Sequence, residues 1–265
     1  MGNEIPPAKP AQEKYLVPGL ERGLMLLSEF SRDTPALTAP QLAKRLDVPR
    51  ATVYRLLMTL ENLGFVKRSE TGHEYRLGLG VLRLGFEYVA SLDITELGQP
   101  ILHRLAELIN YPCNIAVLDE RSVVYIARAL PPTSLTSAMS IGARLPAHAT
   151  VVGRILLQDK SLSDLRKLYP EEHLEAYSPD TPGNAEQLHA LLQRDKQQAY
   201  VMGEGYFEPA FSSVAAPVRS RSGEIIAVLG VMVPSAHIDR ERLDTIVQNV
   251  CSSTDELTLL MRYQN

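Results

Sequence analysis

The chain has 265 residues, 45% of them apolar and 22% charged, which is the balance of an ordinary globular protein and enough length for two compact domains. Two isolated cysteines, Cys113 and Cys251, exclude a disulfide framework and a cysteine metal site and fit a reduced, cytoplasmic setting. The formal charge is −4, and without a run of about 18 apolar residues no membrane span is expected.

Residues 1–15, MGNEIPPAKPAQEKY, are polar and proline-rich and lack an apolar signal core. They read as a mobile arm. From Pro18 to Gly80 nine Lys or Arg stand against seven Asp or Glu, so this stretch is net +2 and the remainder carries −6. A mildly basic head on an acidic body suits a nucleic-acid partner, because phosphate attraction depends on the local footprint. The footprint is modest, so tight binding needs two or more heads.

Leu20, Leu24, Leu27 and Phe30 recur at helical spacing and predict an inward face for a first helix. Thr38, with Gln41 three residues on, predicts a capping box for a second helix, APQLAKRL, whose inner face is Leu42, Ala43 and Leu46. Asp47-Val48-Pro49 makes the turn into RATVYRLLMTLENLGF, where Val53, Leu56, Leu57, Leu60 and Leu63 are expected to point inward and Gly64 to end the helix. Arg50, Thr52, Tyr54 and Arg55 then remain on its first turns. Their chemistry fits base edges and phosphates. VKR and EYRL, around Ser69–His73, predict a hairpin wing that presents Lys67, Arg68 and Arg76 to the DNA backbone or the minor groove. Lys44 and Arg45 complete the expected basic surface. Two helices joined by a tight turn and followed by a wing form a DNA-reading head.

LERGLMLLSEF, LTAPQLAKRLDVPRATVYRLLMTLENLGFV and YRLGLGVLRLG resemble the N-terminal winged helix of the IclR-type transcriptional regulators. IGARLPAHATVVGRILL and FEPAFSSVAAPVRSRSGEIIAVLGVMVP resemble that family's effector domain. VPGLERGL and LGFEYVASLD are most similar to members governing aromatic-acid and β-ketoadipate catabolism. The resemblance covers nearly the whole chain after about residue 16.

In LGVLRLGFEYVASL, residues 79–92, one helix carries two apolar stripes: Leu79, Leu82, Phe86 and Val89, and Val81, Gly85, Tyr88 and Leu92. Such a helix must be covered on both sides. The cover is either its own chain or a second subunit; the resemblance implies paired heads and a dimer of dimers. Asp93, with Glu96, predicts the cap of a next helix with Leu97, Ile101, Leu105 and Leu108 inside.

Beyond it, CNIAVLD and SVVYIARAL flank Glu120-Arg121 as a hairpin, and LTSAMS reads as a short strand. ATVVGRILLQ, LSDLRKLY and a segment after Asn184 read as helices. SSVAAPVRS and EIIAVLGVMVP are strands turning at Arg221-Ser222-Gly223. A last helix carries Leu243, Ile246, Val250, Leu257 and Leu260. This order predicts an antiparallel sheet with helices packed on it; the resemblance implies a GAF-like sensor. No nucleophile, phosphate-loop or metalloprotease motif is present. The six His, at 73, 103, 148, 173, 189 and 237, show no ligand spacing. The two cysteines read as packing residues.

Carried over from the resemblance, the effector site falls on Val151 and Val152, just after His148-Ala149, on Gly203 or Glu204, and on Ser213. Gly230 and Met232 stand where the family's small-acid sensors have two serines. That loss argues for a larger ligand with an apolar face. Amides near Thr150, with Arg144, Ser212 and Ser213, are candidate partners for a carboxylate. His148 reads either as a site residue or as a brace for the following helix.

The expectation is an α+β protein: arm 1–15, winged helix-turn-helix 16–78, linker and dimerisation helix 79–93, GAF-like effector domain 94–265. Its expected function is ligand-responsive transcription regulation of a catabolic operon, without enzymatic activity, cofactor or metal. The expected partners are double-stranded operator DNA, a small organic acid of aromatic type, a second copy of the chain and RNA polymerase. The competing readings are an enzyme with a winged-helix interaction module and a protein-binding winged-helix adaptor.

Overall fold

The computed structural model describes residues 16–31, 33–70, 72–132, 139–207, 210–234 and 240–263. The arm at 1–15 and most of the expected LTSAMS strand lie outside the described residues. The chain divides into two units, Met1–Ser91 and Leu92–Asn265.

The first unit runs α1 (Pro18–Ser28), β1 (Leu37–Thr38), α2 (Ala39–Leu46), α3 (Arg50–Asn62), β2 (Val66–Arg68), β3 (Glu74–Leu77) and α4 (Leu79–Ala90). The Thr38 capping box is present: the Thr38 amide donates to Gln41 Oε1 at 2.8 Å and the Gln41 amide donates to Thr38 Oγ1 at 3.4 Å. Asp47 ends α2 in the left-handed region, and Gly64 does so after α3 with φ +76°. Pro49 is the N-cap of α3, one position earlier than a first helical residue. The wing pairs β2 with β3, and β1, which the sequence does not announce, pairs with β3 on the other side.

Two inner faces differ from expectation. In α1 the buried positions are Gly23 and Leu26, while Leu20 and Leu24 are exposed. Gly23 supplies the flat surface against α3, where an added Cβ would sit 3.9 Å from Leu56 Cδ2. In α3, Val53 and Leu57 are buried but Leu63 is exposed, because the helix closes there and its turn faces solvent. A glycine seam then ties α4 to the end of α3. The Gly78 amide donates to Phe65 O at 2.8 Å and the Gly80 amide to Gly64 O at 2.9 Å. A Cβ at Gly78 would strike Gly64 O, and one at Gly80 would lie 2.8 Å from it. The α4 helix itself buries none of its described side chains; Leu79, Leu82, Leu84, Phe86 and Tyr88 are all exposed.

The second unit runs α5 (Asp93–Ile109), β4 (Cys113–Asp119), β5 (Ser122–Ala129), β6 (Arg144–Pro146), a 3-10 turn at Ala147–Ala149, α6 (Val151–Leu156), α7 (Leu162–Leu168) and α8 (Ala185–Asp195). It ends with β7 (Val201–Glu204), β8 (Phe211–Arg219), β9 (Ile225–Pro234) and α9 (Arg240–Tyr263). Its strands form one antiparallel sheet in the order β6-β5-β4-β9-β8-β7. One face packs on α5 and α9 through Leu102, Ile115, Val218, Leu229 and Ile246. The other packs on α6, α7 and α8 through Ile155, Leu165, Leu188, Ala215 and Val228.

The α5 cap differs from expectation: Leu92 is the N-cap, Asp93 is the first helical residue, and no side chain caps the end. Leu108 is exposed, and the inner face is carried by Ile94, Gly98, Ile101, Leu102, Leu105, Ala106 and Ile109. Leu260 of α9 is likewise exposed, whereas Ile246, Val250 and Leu257 are buried. Asn184, Ser161 and Thr150 cap their helices as short polar residues do.

Candidate nucleic-acid interface and ligand cavity

In the first unit, α3 carries Arg50, Tyr54 and Arg55 exposed and Thr52 half-buried on its first two turns. The seven cations among the nine expected contact residues separate into two groups. Arg45 pairs with Glu29 at 3.3 Å, and Arg68 pairs with Glu61 at 3.4 Å while lying over the Tyr75 ring at 5.1 Å. These arginines brace the head, and exposed pairs of this kind contribute little to stability. Lys44, Arg50, Arg55, Lys67 and Arg76 have no ion-pair partner among the described residues. Lys67 and Arg76 sit directly opposite one another across β2 and β3. Like charges in that register repel.

In the second unit a small cavity of about 40 Å³, partly open to solvent, lies between the sheet and α6. That is well below the usual range for small-molecule sites, so a ligand the size of an aromatic acid enters only if the walls part. Met139, Leu145, Val151, Val152 and Met232 give it apolar walls. Tyr125, Tyr206, Phe207 and Phe211 give it aromatic ones, and Thr150 and Ser213 add hydroxyls. Gly203, Ser213 and Met232 form one row across β7, β8 and β9. Burial raises the Tyr125 phenol to about 12, so that wall is neutral.

Five expected effector residues, Thr150, Val151, Val152, Ser213 and Met232, are thus brought to one cavity. Gly203 stands at its edge without lining it. An added Cβ there would press Val151 Cγ2 at 2.7 Å and Tyr206 Cβ at 3.1 Å, so glycine lets those two close on one another. Gly230 does not enlarge the space: its missing side chain is replaced by Asn114 Oδ1 at 3.1 Å and Val152 Cγ2 at 3.4 Å from a built Cβ.

Other expected residues lie elsewhere. Glu204 and Ser212 are register partners, and strand alternation puts them on the sheet face opposite Ser213. Arg144 is outside the lining and pairs with Asp119 at 2.7 Å. His148 is buried, with Nε2 2.9 Å from the Glu175 carbonyl oxygen and its ring edge-on to Tyr169 at 5.6 Å. This is the brace. The aromatic walls went unseen in the sequence because β5, the 206–207 turn and β8 meet only through the sheet order. Beside Tyr206, Arg154 forms a buried bidentate pair with Asp195, at 2.7 Å and 2.6 Å.

Burial is the main cause holding the His148 imidazole below its ordinary value of 6.5, with Arg121 adding to it; the Glu175 contacts oppose the shift. Folding therefore prefers the neutral ring, and its stabilisation is complete above pH 6.5 and fades as pH falls. Thermal melts taken from pH 7.5 to pH 5 are expected to show a decline that His148→Gln flattens. An equal decline in both proteins would contradict this.

A winged helix with unpaired cations on its second helix, joined to a sheet unit with an aromatic-lined cavity, defines the class of one-component DNA-binding regulators. The IclR helix-turn-helix domain model matches residues 19–70, and the bacterial transcriptional regulator IclR C-terminal model matches residues 86–258. The chain belongs to the IclR family of transcriptional regulators, with a DNA-binding helix-turn-helix and an effector domain. It is similar to the Pca regulon regulatory protein of Pseudomonas putida, 33% identical over 85% of this chain and 77% of that protein. Its fold is similar to the crystal structure of an IclR transcriptional regulator from Alicyclobacillus acidocaldarius (TM-score 0.81, 26% identity, covering 92% of this chain and 99% of that one). An IclR homologue from Microbacterium hydrocarbonoxydans, solved in complex with 4-hydroxybenzoate, shares the fold (TM-score 0.80, 24% identity, covering 93% and 100%).

Proposed function

We propose that this chain regulates a catabolic operon in the cytoplasm, binding operator DNA as a symmetric pair and taking a small aromatic carboxylate as effector. The observation that carries the effector class is the cavity wall of Tyr125, Phe207 and Phe211 with hydroxyls from Thr150, Ser213 and Tyr206. Rings favour offset or edge-on aromatic partners, and hydroxyls suit a carboxylate or phenol. Met232, where the family's small-acid sensors carry a serine, removes the hydroxyl that a two- or three-carbon keto acid would use. The relation to the Pca regulon regulatory protein points to the same area of metabolism.

In this reading residues 16–78 are the head, 79–93 the linker and dimerisation helix and 94–265 the effector domain, and the protein is not an enzyme. Arg50, Thr52, Tyr54 and Arg55 read the major groove. Lys44, Lys67 and Arg76 hold phosphates, and Arg45 and Arg68 orient the surface. The exposed stripes of α4 meet a second copy, and two such dimers pair into a tetramer. RNA polymerase is the further partner. Effector binding shifts the population of head spacings and so alters operator affinity. The glycine seam at 64, 78 and 80 passes movement of α4 to the end of α3.

Thermal-shift titration of the full chain tests the effector class. At a hundredfold excess over Kd a ligand stabilises by about 2.7 kcal/mol, a rise of about 5–10 °C for a domain of this size. Benzoate or 4-hydroxybenzoate is expected to produce it. Stabilisation by glyoxylate or pyruvate with none from the benzoates would overturn the reading.

A further inference from the structure

Tyr206 is an anomaly in the cavity wall. Its side chain is more than nine-tenths buried, it lines the cavity, and its hydroxyl has no hydrogen-bond partner among the described residues. A buried hydroxyl left without a partner costs stability, so the fold gains nothing from the oxygen as it stands. The ring is held firmly. Arg154 lies over it with Cζ 4.8 Å from the centroid, and Gly203 packs against its Cβ. Arg154 in turn is fixed by Asp195, with both side chains about nine-tenths buried. The ring is therefore placed by a rigid buried pair, while its polar tip is unsatisfied and sealed within the wall of the cavity.

We infer that the Tyr206 hydroxyl is the polar anchor of the effector, donating a hydrogen bond to an anionic oxygen, with Arg154 as the positioning residue that holds the ring. This rests on the reading of the ligand as an aromatic carboxylate and adds the residue that selects its charge. Burial keeps the phenol above its ordinary value although Arg154 lowers it, so the group is neutral and available as a donor. A hydrogen bond from a neutral donor to a carboxylate is stronger than one to a neutral amide. Tyr206 therefore favours an acid over its amide in a cavity wall without a cation among the described residues. Thr150 Oγ1 accepts from the Gly153 amide at 3.0 Å and keeps its own O–H as a second donor on the same wall.

Calorimetric titration of the full chain with benzoate and with benzamide, for the wild type and Tyr206→Phe, tests this. The substitution removes only the hydroxyl and keeps the ring under Arg154. Benzoate binding is expected to weaken by about tenfold to a hundredfold, benzamide binding to weaken by less, and the ligand-free melting temperature to hold or rise. Benzoate binding that is equal in the two proteins overturns the anchor and leaves the aromatic-acid reading standing. Failure of the wild type to bind either benzoate or 4-hydroxybenzoate overturns that reading and the anchor with it. A ligand-free melting temperature several degrees lower in Tyr206→Phe assigns the hydroxyl to the fold and also overturns the anchor.

Discussion

Under the proposed pairing through α4, Phe86→Asp is expected to leave the chain monomeric and to weaken duplex binding by about a hundredfold or more. In the chain Phe86 is 66% exposed, on a helix that also exposes Leu79, Leu82, Leu84 and Tyr88. It belongs to no buried cluster of the head, whose core is Leu26, Leu42, Val53, Leu57 and Tyr75 with their neighbours. A surface of this kind is stable in water only when covered. Burying a phenylalanine is worth about 1.5–3 kcal/mol, and two-fold symmetry counts each position twice. Losing about 3–6 kcal/mol shifts the dimer constant by roughly a hundredfold to ten-thousandfold. DNA binding follows, because a net +2 head touches too few phosphates alone. Sedimentation velocity and circular dichroism check the result together. A monomer with unchanged helix content is expected. A dimer with unchanged operator affinity would remove α4 from the interface.

Asp195→Ala is expected to cost about 3–5 kcal/mol, the penalty for leaving a buried charge without its partner. The Arg154–Asp195 pair is bidentate, and its side chains are only 8% and 11% exposed. For a domain of this size that is a fall of about 6–20 °C in melting temperature. The double variant Arg154→Met with Asp195→Leu removes both charges, keeps the volume and is expected to recover most of the loss. A single variant that melts within a degree or two of the wild type would show that solvent reaches Arg154.

The parts legible in the sequence were those fixed by neighbours along the chain. The Thr38–Gln41 capping box, the Gly64 helix end, the turn at Glu120-Arg121 and the turn closed by Gly223 each depend on a few consecutive residues. The inner faces of α1 and α5 were misread for one physical reason. Leu20, Leu24 and Leu108 have the hydrophobicity of core residues but lie on exposed faces, and periodicity cannot tell a core from a surface awaiting a partner. Burial instead follows Gly23 and Gly98, where the absence of a side chain lets another element approach.

The cavity divides in the same way. Val151 and Val152 follow a recognisable segment and were found. Tyr125, Phe207 and Phe211 come from separate stretches joined only by the strand order β6-β5-β4-β9-β8-β7, so nothing local marked them. Arg144 and Ser212 have the right chemistry, but an ion pair with Asp119 holds the first outside the lining and strand alternation turns the second to the opposite sheet face. One signal was available: Tyr206 follows two glycines, Gly203 and Gly205, in a stretch where a bulky side chain needs its neighbours small.

The central claim, that a paired winged helix reads DNA under control of an aromatic acid, is tested most directly by selection from a random duplex pool with the full-length protein. The selected duplex is then titrated with and without 4-hydroxybenzoate. The account predicts enrichment of an inverted repeat, binding that weakens steeply with salt, and an affinity that 4-hydroxybenzoate shifts. Failure to enrich any duplex, or an enriched site whose affinity ignores both salt and 4-hydroxybenzoate, would contradict it.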